Sequence, residues 1–203
     1  RGHFTMIRSF HLADLFTLAN GASGTAAIFL AMESLRDNWP TRLLVAAGLV
    51  TAAIVFDVLD GRVARWRHRA SPMGRELDSL ADVISFGVAP ASVAFAVGLD
   101  GMWDQLALLY FVACGISRLA RYNVTAEGMS AAVGKVTHFE GTPIPTSALL
   151  VALLAALAAA GRLGPALLWG GWTIAGETLH PLVVLFVVSG TLMVSKTLRI
   201  PKP

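Results

Sequence analysis

Two stretches, DVLDGRVAR at residues 57–65 and GRELDSLAD at residues 74–82, decide the fold of this 203-residue chain. They lie where two candidate membrane helices meet, and they place four aspartates within 26 residues: Asp57, Asp60, Asp78 and Asp82. Residues three or four apart share one face of a helix, so the aspartates form two pairs, one on each helix. Two facing pairs would line one pocket with carboxylate oxygens.

The composition indicates a protein embedded in a membrane. Apolar residues make up 55% of the chain and charged residues 14%, and the mean hydropathy is +0.65. Soluble domains usually have about 25% charged residues. We therefore expect an all-α integral membrane protein that forms a single domain over residues 1–203.

Six apolar stretches are long enough to cross a bilayer, which takes roughly 17 to 25 residues. They run over residues 15–35, 42–64, 76–99, 103–122, 144–161 and 180–198. The sequence thus predicts six transmembrane helices. Residues 4–15 mix apolar and charged side chains, which fits a short interfacial helix before the first span, although a simple tail fits nearly as well.

The distribution of Lys and Arg predicts the orientation. With six spans both termini lie on the side of the aspartate motif, and thirteen of the 16 Lys and Arg residues fall there, all but Arg36, Arg42 and Arg162. Positive charge favours the cytoplasmic side. The expected location is the cell membrane, as a multi-pass protein with its active site and both termini facing the cytoplasm.

A site made only of carboxylates suits hard divalent cations such as magnesium, calcium or manganese. Two divalent ions would neutralise four carboxylates, whereas one would leave two negative charges near lipid, where charge is costly. A simpler interpretation, carboxylates at helix ends paired with nearby arginines, explains any single aspartate equally well.

The spacing Asp-x-x-Asp-Gly-x-x-Ala-Arg, followed by Gly-x-x-x-Asp-x-x-x-Asp, resembles the signature of the CDP-alcohol phosphotransferase family. Members are membrane enzymes with six transmembrane helices that move a phosphatidyl-type group from a CDP-linked lipid to an alcohol and release CMP. The resemblance implies that Asp57, Asp60 and Asp78 hold two divalent cations, Mg²⁺ or Mn²⁺. It also implies that Asp82 is the general base, with a further contact to metal.

The same resemblance implies a binding site for the CDP moiety. It places Gly61, Ala64, Arg65 and Gly74 around the nucleotide, with Asn20 close by. An arginine pairs well with phosphate through its planar fork of donors. The two glycines would allow the nucleotide to approach the backbone, but close packing of membrane helices explains them equally well.

Two further stretches, SRLARYN at residues 117–123 and FEGTPIP at residues 139–145, resemble the phosphatidylserine synthase branch of the family, with Thr142 in place of the usual Leu. The implied substrates are CDP-diacylglycerol and L-serine. The candidate contacts to serine are Arg118, Arg121, Lys135 and Glu140. Arg121 is the preferred partner of its carboxylate and Glu140 of its ammonium. The cations are explained equally well by their role in setting orientation.

Other functions stay open at this point. The acceptor could be glycerol phosphate or inositol phosphate, and the donor an archaeal ether lipid. A protein of another class, a small ion or metal transporter, could also line its route with aspartates. The expected partners are the lipid bilayer and a second copy of the chain, because members of the family are commonly homodimers, and no nucleic acid is expected.

Overall fold

The structure is a computed structural model, and it describes residues 12–37, 40–66, 72–131, 138–195 and 199–201. These residues are mostly helical. The α-helices are α1 (Leu12–Asp37), α2 (Pro40–Trp66), α3 (Pro72–Asp82), α4 (Ala89–Val97), α5 (Met102–Ala131), α6 (Ser147–Ala159) and α7 (Val184–Val194). A π-helical segment, Val83–Val88, joins α3 to α4 without a break.

Among the described residues, three helical stretches are long and apolar enough to cross a membrane, namely Ala13–Asp37, Pro40–Val63 and Met73–Val97. Two apolar helices are shorter, Ile144–Ala159 and Pro181–Val194. Large apolar side chains such as Phe29 and Leu149 are exposed, as expected for a surface that faces lipid. The prediction of a helical membrane protein is confirmed in this coarse form, and the number of six spans stays a prediction.

The fifth and sixth predicted spans differ from the observed helices. Tight 3₁₀ turns, Ile144–Thr146 and Pro181–Val183, precede α6 and α7, so the α-helices begin later than the apolar stretches. Proline has no N–H for the helical ladder and a fixed φ, which favours such turns at a helix start. At the N-terminus, residues 12–15 belong to α1, while the rest of the predicted interfacial helix lies outside the described residues.

The antiparallel helices α1 and α2 pack along each other, and α1 also contacts α3, the π segment and α4. Small residues on α1 allow this approach. Gly21 lies against Ala81, and a Cβ atom at Gly24 would overlap the side chain and Cα of Ser85. The acidic ends of α2 and α3 are thereby held beside the first half of α1.

Short strands connect the remaining elements, and the sequence did not predict them. They are β1 (His138–Glu140), β2 (Trp172–Ile174), β3 (Glu177–Leu179) and β4 (Arg199–Pro201). Antiparallel pairing joins β1 to β4 and β2 to β3. Three-residue strands are too short for the alternating pattern that identifies a strand in a sequence.

The hairpin of β2 and β3 is fixed to the start of α5 by a buried pair. His180 donates its backbone N–H to Asp104 Oδ1 at 2.8 Å, and its ring Nδ1 lies 2.6 Å from Asp104 Oδ2. Asp104 Oδ2 also accepts the N–H of Gly101 at 3.2 Å. This end of the bundle is opposite to the aspartate motif, because α5 runs from here towards Arg118 and Arg121.

Candidate active site

Three of the four predicted aspartates meet where the end of α2 faces α3. One carboxylate oxygen from each of Asp57, Asp60 and Asp78 lies within 4.8 Å of the other two. Asp57 and Asp60 are one helical turn apart on α2, so both point towards Asp78 on α3. Asp60 is only 6% exposed, and like charges at this separation repel strongly in a poorly hydrated site.

Asp82 stands one helical turn beyond Asp78, at the last residue of α3. It lies outside the group of three, but it is buried and close enough to the other three aspartates for electrostatic repulsion between the carboxylates. Its Oδ1 accepts a hydrogen bond from Asn20 Nδ2 at 3.1 Å. The site is therefore a compact triad of carboxylates with a fourth, separately held carboxylate beside it.

Helix α1 supplies the polar side chains that orient these carboxylates. Thr17 Oγ1 donates to Asp60 Oδ2 at 2.8 Å, one turn before Asn20 contacts Asp82. The buried hydroxyl of Ser85 donates to the backbone carbonyl of Asn20 at 2.9 Å. Asp14, also buried on α1, adds a further negative charge near Asp60.

The π segment directly follows Asp82. Its wider turn is closed by the bond from Ala89 N–H to the carbonyl of Ile84. Such segments are rare and are often found at functional sites. Here the segment buries Ser85 against α1. Asp82 accepts a hydrogen bond from the side chain of Asn20, and Ser85 donates one to the backbone carbonyl of Asn20, so Asn20 is held at two points.

The two arginines of α5 have different environments. Arg118 is partly buried and interacts electrostatically with Asp82, and its Nε has no hydrogen-bond partner among the described residues. Arg121 donates to the carbonyl of Val194, at the end of α7, from Nη1 and Nη2 at 3.3 and 3.4 Å. Arg118 therefore faces the acidic site, whereas Arg121 holds α7 in place.

The other predicted binding residues lie around this centre or outside the described residues. Gly61 and Gly74 are partly buried, on α2 and α3, next to the triad in the chain. Ala64 and Arg65 belong to the last turns of α2, but their side chains are not among those described. The same holds for the side chain of Glu140, in β1, and Lys135 lies outside the described residues altogether.

The triad fits a divalent cation. Its ligand atoms are all carboxylate oxygens, the donors that Mg²⁺ and Mn²⁺ prefer. Asp78 Oδ1 is buried without a hydrogen-bond partner among the described residues, which is unusual unless a ligand satisfies it. The arrangement is suited to holding at least one metal ion.

The sequence alone predicted no role for Thr17 and Ser85. A signal was present for both, because Thr17 lies three residues before Asn20 and Ser85 three residues after Asp82. This spacing places each beside its neighbour on one helix face. Thr17 Oγ1 also lies 3.2 Å from the carbonyl of Ala13 on its own helix. Its bond to Asp60 and the bond from Ser85 to Asn20, however, join different helices, and only the packing of α1 against α2 and the π segment identifies them.

Comparison with known proteins gives a consistent result. The family model of CDP-alcohol phosphatidyltransferases matches residues 10–189. A CDP-diacylglycerol–serine O-phosphatidyltransferase from Saccharomyces cerevisiae is 42% identical to this chain over an alignment of 207 positions, gaps included. The alignment covers 99% of this chain and 74% of that protein.

Two microbial proteins are similar over shorter regions. A CDP-diacylglycerol–serine O-phosphatidyltransferase from Helicobacter pylori is 42% identical over 130 residues, 63% of this chain and 53% of that protein. An archaetidylserine synthase from Methanothermobacter thermautotrophicus is 38% identical over 143 residues, 69% of this chain and 55% of that protein. The matched regions thus span about half the length of these two relatives.

Proposed function

The chain belongs to the CDP-alcohol phosphatidyltransferase family, and from this membership we propose that it transfers a phosphatidyl group from CDP-diacylglycerol to L-serine, giving phosphatidylserine and CMP. The names of relatives with 42% identity support serine as the acceptor. The observation that carries the proposal is the carboxylate triad of Asp57, Asp60 and Asp78 with Asp82 buried beside it.

In the proposed reaction Asp82 takes the proton of the serine hydroxyl. The hydroxyl oxygen then forms a bond to the lipid-side phosphorus of the pyrophosphate. The bond from that phosphorus to the bridging oxygen breaks, and its electron pair leaves with CMP. The hydrogen bond from Asn20 orients the carboxylate of Asp82 for this role. Attack is direct, because a base and an activated phosphate suffice.

Asp57, Asp60 and Asp78 would hold the metal, with Thr17 fixing the orientation of Asp60. We propose two divalent cations, Mg²⁺ or Mn²⁺, with Asp82 as a further contact, because several uncompensated carboxylates near lipid would be costly. When bound, such ions stabilise negative charge on the phosphate oxygens as Lewis acids.

The remaining predicted site residues bind the two substrates. Gly61, Ala64, Arg65 and Gly74 surround the CDP moiety in this proposal, and Asn20 lies close to it. Among the cations proposed for serine, Arg118 is the best placed, because it faces Asp82, whereas Arg121 is engaged by α7. Lys135 and Glu140 remain proposed contacts to serine.

The protein acts, in this proposal, as one domain in the cell membrane. Six spans would place both termini and the active site on the cytoplasmic side, where the Lys and Arg residues are concentrated. Two copies would form a homodimer, as the family resemblance implies. The lipid tails would remain in the bilayer while the head group reaches the aspartates.

The nature of the lipid donor has one specific alternative. One relative carries the name archaetidylserine synthase, and its 38% identity extends over 69% of this chain. A donor with ether-linked chains would present the same CDP group to the aspartates. CDP-archaeol is therefore the second donor to compare with CDP-diacylglycerol in an assay.

The test is release of CMP by the purified protein with Mg²⁺ or Mn²⁺, comparing L-serine with glycerol 3-phosphate and inositol phosphate as acceptors. We expect release that depends on serine. The variant Asp82→Asn should lower kcat by about 100-fold or more, since a general base contributes 10² to 10⁴. Asp100→Asn, an exposed aspartate at the opposite end, is the matched control and should keep its activity.

Each other outcome is informative. Release that depends on a different acceptor would keep the reaction type and reject serine. Full activity of Asp82→Asn would reject the proposed base. No release with any acceptor and donor would reject the enzyme and favour a transport function for the acidic site.

A further inference from the structure

Three polar side chains join α3 to the second half of α5, and none of them has a role in the proposed reaction. Asn123, the last residue of the stretch SRLARYN, is half-buried on α5. Its Nδ2 donates to Ser79 Oγ at 3.0 Å and lies 3.4 and 3.5 Å from the two carboxylate oxygens of Glu76. Ser79 Oγ in turn lies 3.4 Å from Asn123 Oδ1. We call Glu76, Ser79 and Asn123 the polar bridge.

The donors and acceptors of the polar bridge are matched. An ionised carboxylate only accepts hydrogen bonds, so the amide nitrogen of Asn123, which only donates, is the atom that faces Glu76. A hydroxyl can donate and accept, so Ser79 pairs with both ends of the amide. The bridge therefore depends on these particular side chains, and removal of either Ser79 or Asn123 breaks it.

A second interaction between the two helices fits the position of the bridge. Arg118 of α5 interacts electrostatically with Asp82, the last residue of α3. Five residues further along α5, Asn123 meets Ser79, which lies three residues earlier on α3. Beyond Asp82, the π segment that continues α3 packs on α5. The two chain segments thus run antiparallel, and the polar bridge holds α3 at the level of Asp78.

The bridge and the acidic site lie on different sides of α3. Successive residues of an α-helix point about 100° apart, so Ser79 and Asp78 have different neighbours. Asp78 points towards the triad residues of α2, and Ser79 is bound to α5. On a third side, Ala81 lies against Gly21 of α1. Contacts with three helices therefore set the rotation of α3 about its own axis.

A small rotation of α3 would disturb a metal site. The end of a side chain lies about 5 to 6 Å from the helix axis, so a rotation of about 10° moves a carboxylate by about 1 Å. Metal–ligand distances have to be correct within about 0.2 Å. Thr17 orients Asp60 directly, whereas Asp78 Oδ1 has no hydrogen-bond partner among the described residues. The position of Asp78 therefore depends on how α3 itself is held.

We propose that Asn123, acting through Ser79, is a positioning residue that fixes Asp78 for metal binding. This inference rests on the proposed function only in taking Asp57, Asp60 and Asp78 as ligands of a divalent cation. Asn123 touches neither the metal nor the substrates in this account. Loss of the bridge therefore lowers metal affinity, because it changes where the Asp78 carboxylate stands.

The experiment is a calorimetric titration of the purified full chain in detergent with Mn²⁺, without substrates. Asn123→Ala and Ser79→Ala each break the bridge, and each should raise Kd for Mn²⁺ about fivefold, the effect of one lost hydrogen bond. The double variant should bind no more weakly than the single variants, because both changes remove the same bond. Ser79→Thr retains the hydroxyl and should keep Kd near that of the wild type.

Two controls remove the same chemical groups elsewhere. Ser23→Ala removes a hydroxyl that donates to the Ala19 carbonyl of its own helix at 2.8 Å. Gln105→Ala removes an amide that donates to the Asp100 carbonyl, at the opposite end of the bundle, also at 2.8 Å. Neither control should change Kd for Mn²⁺. Thermal midpoints measured without metal report any loss of stability separately.

The outcomes separate this inference from the proposed function. An unchanged Kd in Asn123→Ala and Ser79→Ala would overturn it, and a lower thermal midpoint in the same variants would then show a purely structural role. Effects that add in the double variant would also overturn it. If Kd rises as expected in a protein that releases no CMP with serine, this inference is supported and the proposed substrate is rejected. A wild type that binds no Mn²⁺ would overturn both.

Discussion

At the scale of single residues, the acidic site depends on two neighbouring side chains of α1 that hold different carboxylates. Thr17 donates to Asp60, a member of the triad, and Asn20 donates to Asp82, which lies outside it. Groups that orient metal ligands affect metal affinity, whereas groups that orient a base affect turnover. The two contacts therefore predict two separable effects.

Thr17→Val keeps the shape of the side chain and removes the hydrogen bond to Asp60. We expect the Mn²⁺ concentration for half-maximal activity to rise about tenfold, because loss of such a supporting contact typically costs 10- to 100-fold in metal affinity. A metal titration of CMP release measures this. Thr25→Val is the control, since its hydroxyl bonds to the Gly21 carbonyl of its own helix. Equal metal dependence in both variants would contradict the assignment.

Asn20→Ala removes the donor to Asp82 and leaves the backbone bond from Ser85 in place. We expect kcat to fall about tenfold, the effect of losing one hydrogen bond to a charged group, with the metal titration unchanged. Steady-state rates at saturating metal and substrates provide the measurement. A shift in metal dependence as large as that of Thr17→Val, with kcat unchanged at saturating metal, would instead show that Asp82 serves as a metal ligand and not as the base.

At the scale of elements, the site requires α1 to lie unusually close to the third predicted span. The π segment places Ser85 directly against Gly24 of α1. A side chain at position 24 would overlap Ser85. The sequence indicated a helix over this stretch but not the π segment, because a single wider turn leaves no trace in the apolar pattern. Hydrogen bonds and packing between the helices decide it.

Gly24→Ala should destabilise the protein, because its Cβ atom would overlap the backbone Cα of Ser85 as well as its side chain. Overpacking of this kind costs about 1 to 3 kcal/mol, and it should lower the thermal midpoint in detergent. Gly48→Ala on α2 is the matched control, since nothing lies within 4 Å of its added Cβ. There the better helix propensity of Ala should leave stability equal or slightly higher.

At the scale of the whole molecule, the two ends of the bundle are chemically different. The motif end carries the aspartates and the arginines of α5. The opposite end carries the hairpin of β2 and β3, which the pair of Asp104 and His180 fastens to α5. Such separation fits a chain that crosses a membrane with its chemistry on one side.

Labelling of single cysteines tests the proposed orientation. Cys114 is the one native cysteine and is buried, so it should give little background. Thr173→Cys, in the exposed hairpin, should react with a membrane-impermeant maleimide in intact cells. Arg62→Cys, exposed at the motif end, should react only after permeabilisation. Labelling of both sites from outside would contradict the proposed topology.

The sequence alone determined the membrane class, the mainly helical structure and the identity of the acidic residues, because these depend on composition and on spacing along one helix. The pairs of aspartates three or four residues apart follow from helical geometry. The sequence also indicated the family, through a long and specific motif, and the match to the family model confirmed this prediction.

Only the tertiary structure decided which residues meet across helices. The predictions that Asn20 lies near the nucleotide and that Arg121 contacts serine stay predictions; the structure adds that the Asn20 amide donates to Asp82 and that Arg121 donates to the end of α7. These partners are 62 and 73 residues away in the chain. Side chains that distant meet through close packing of helices, and the periodicity of each helix, read separately, carries no information about its neighbour.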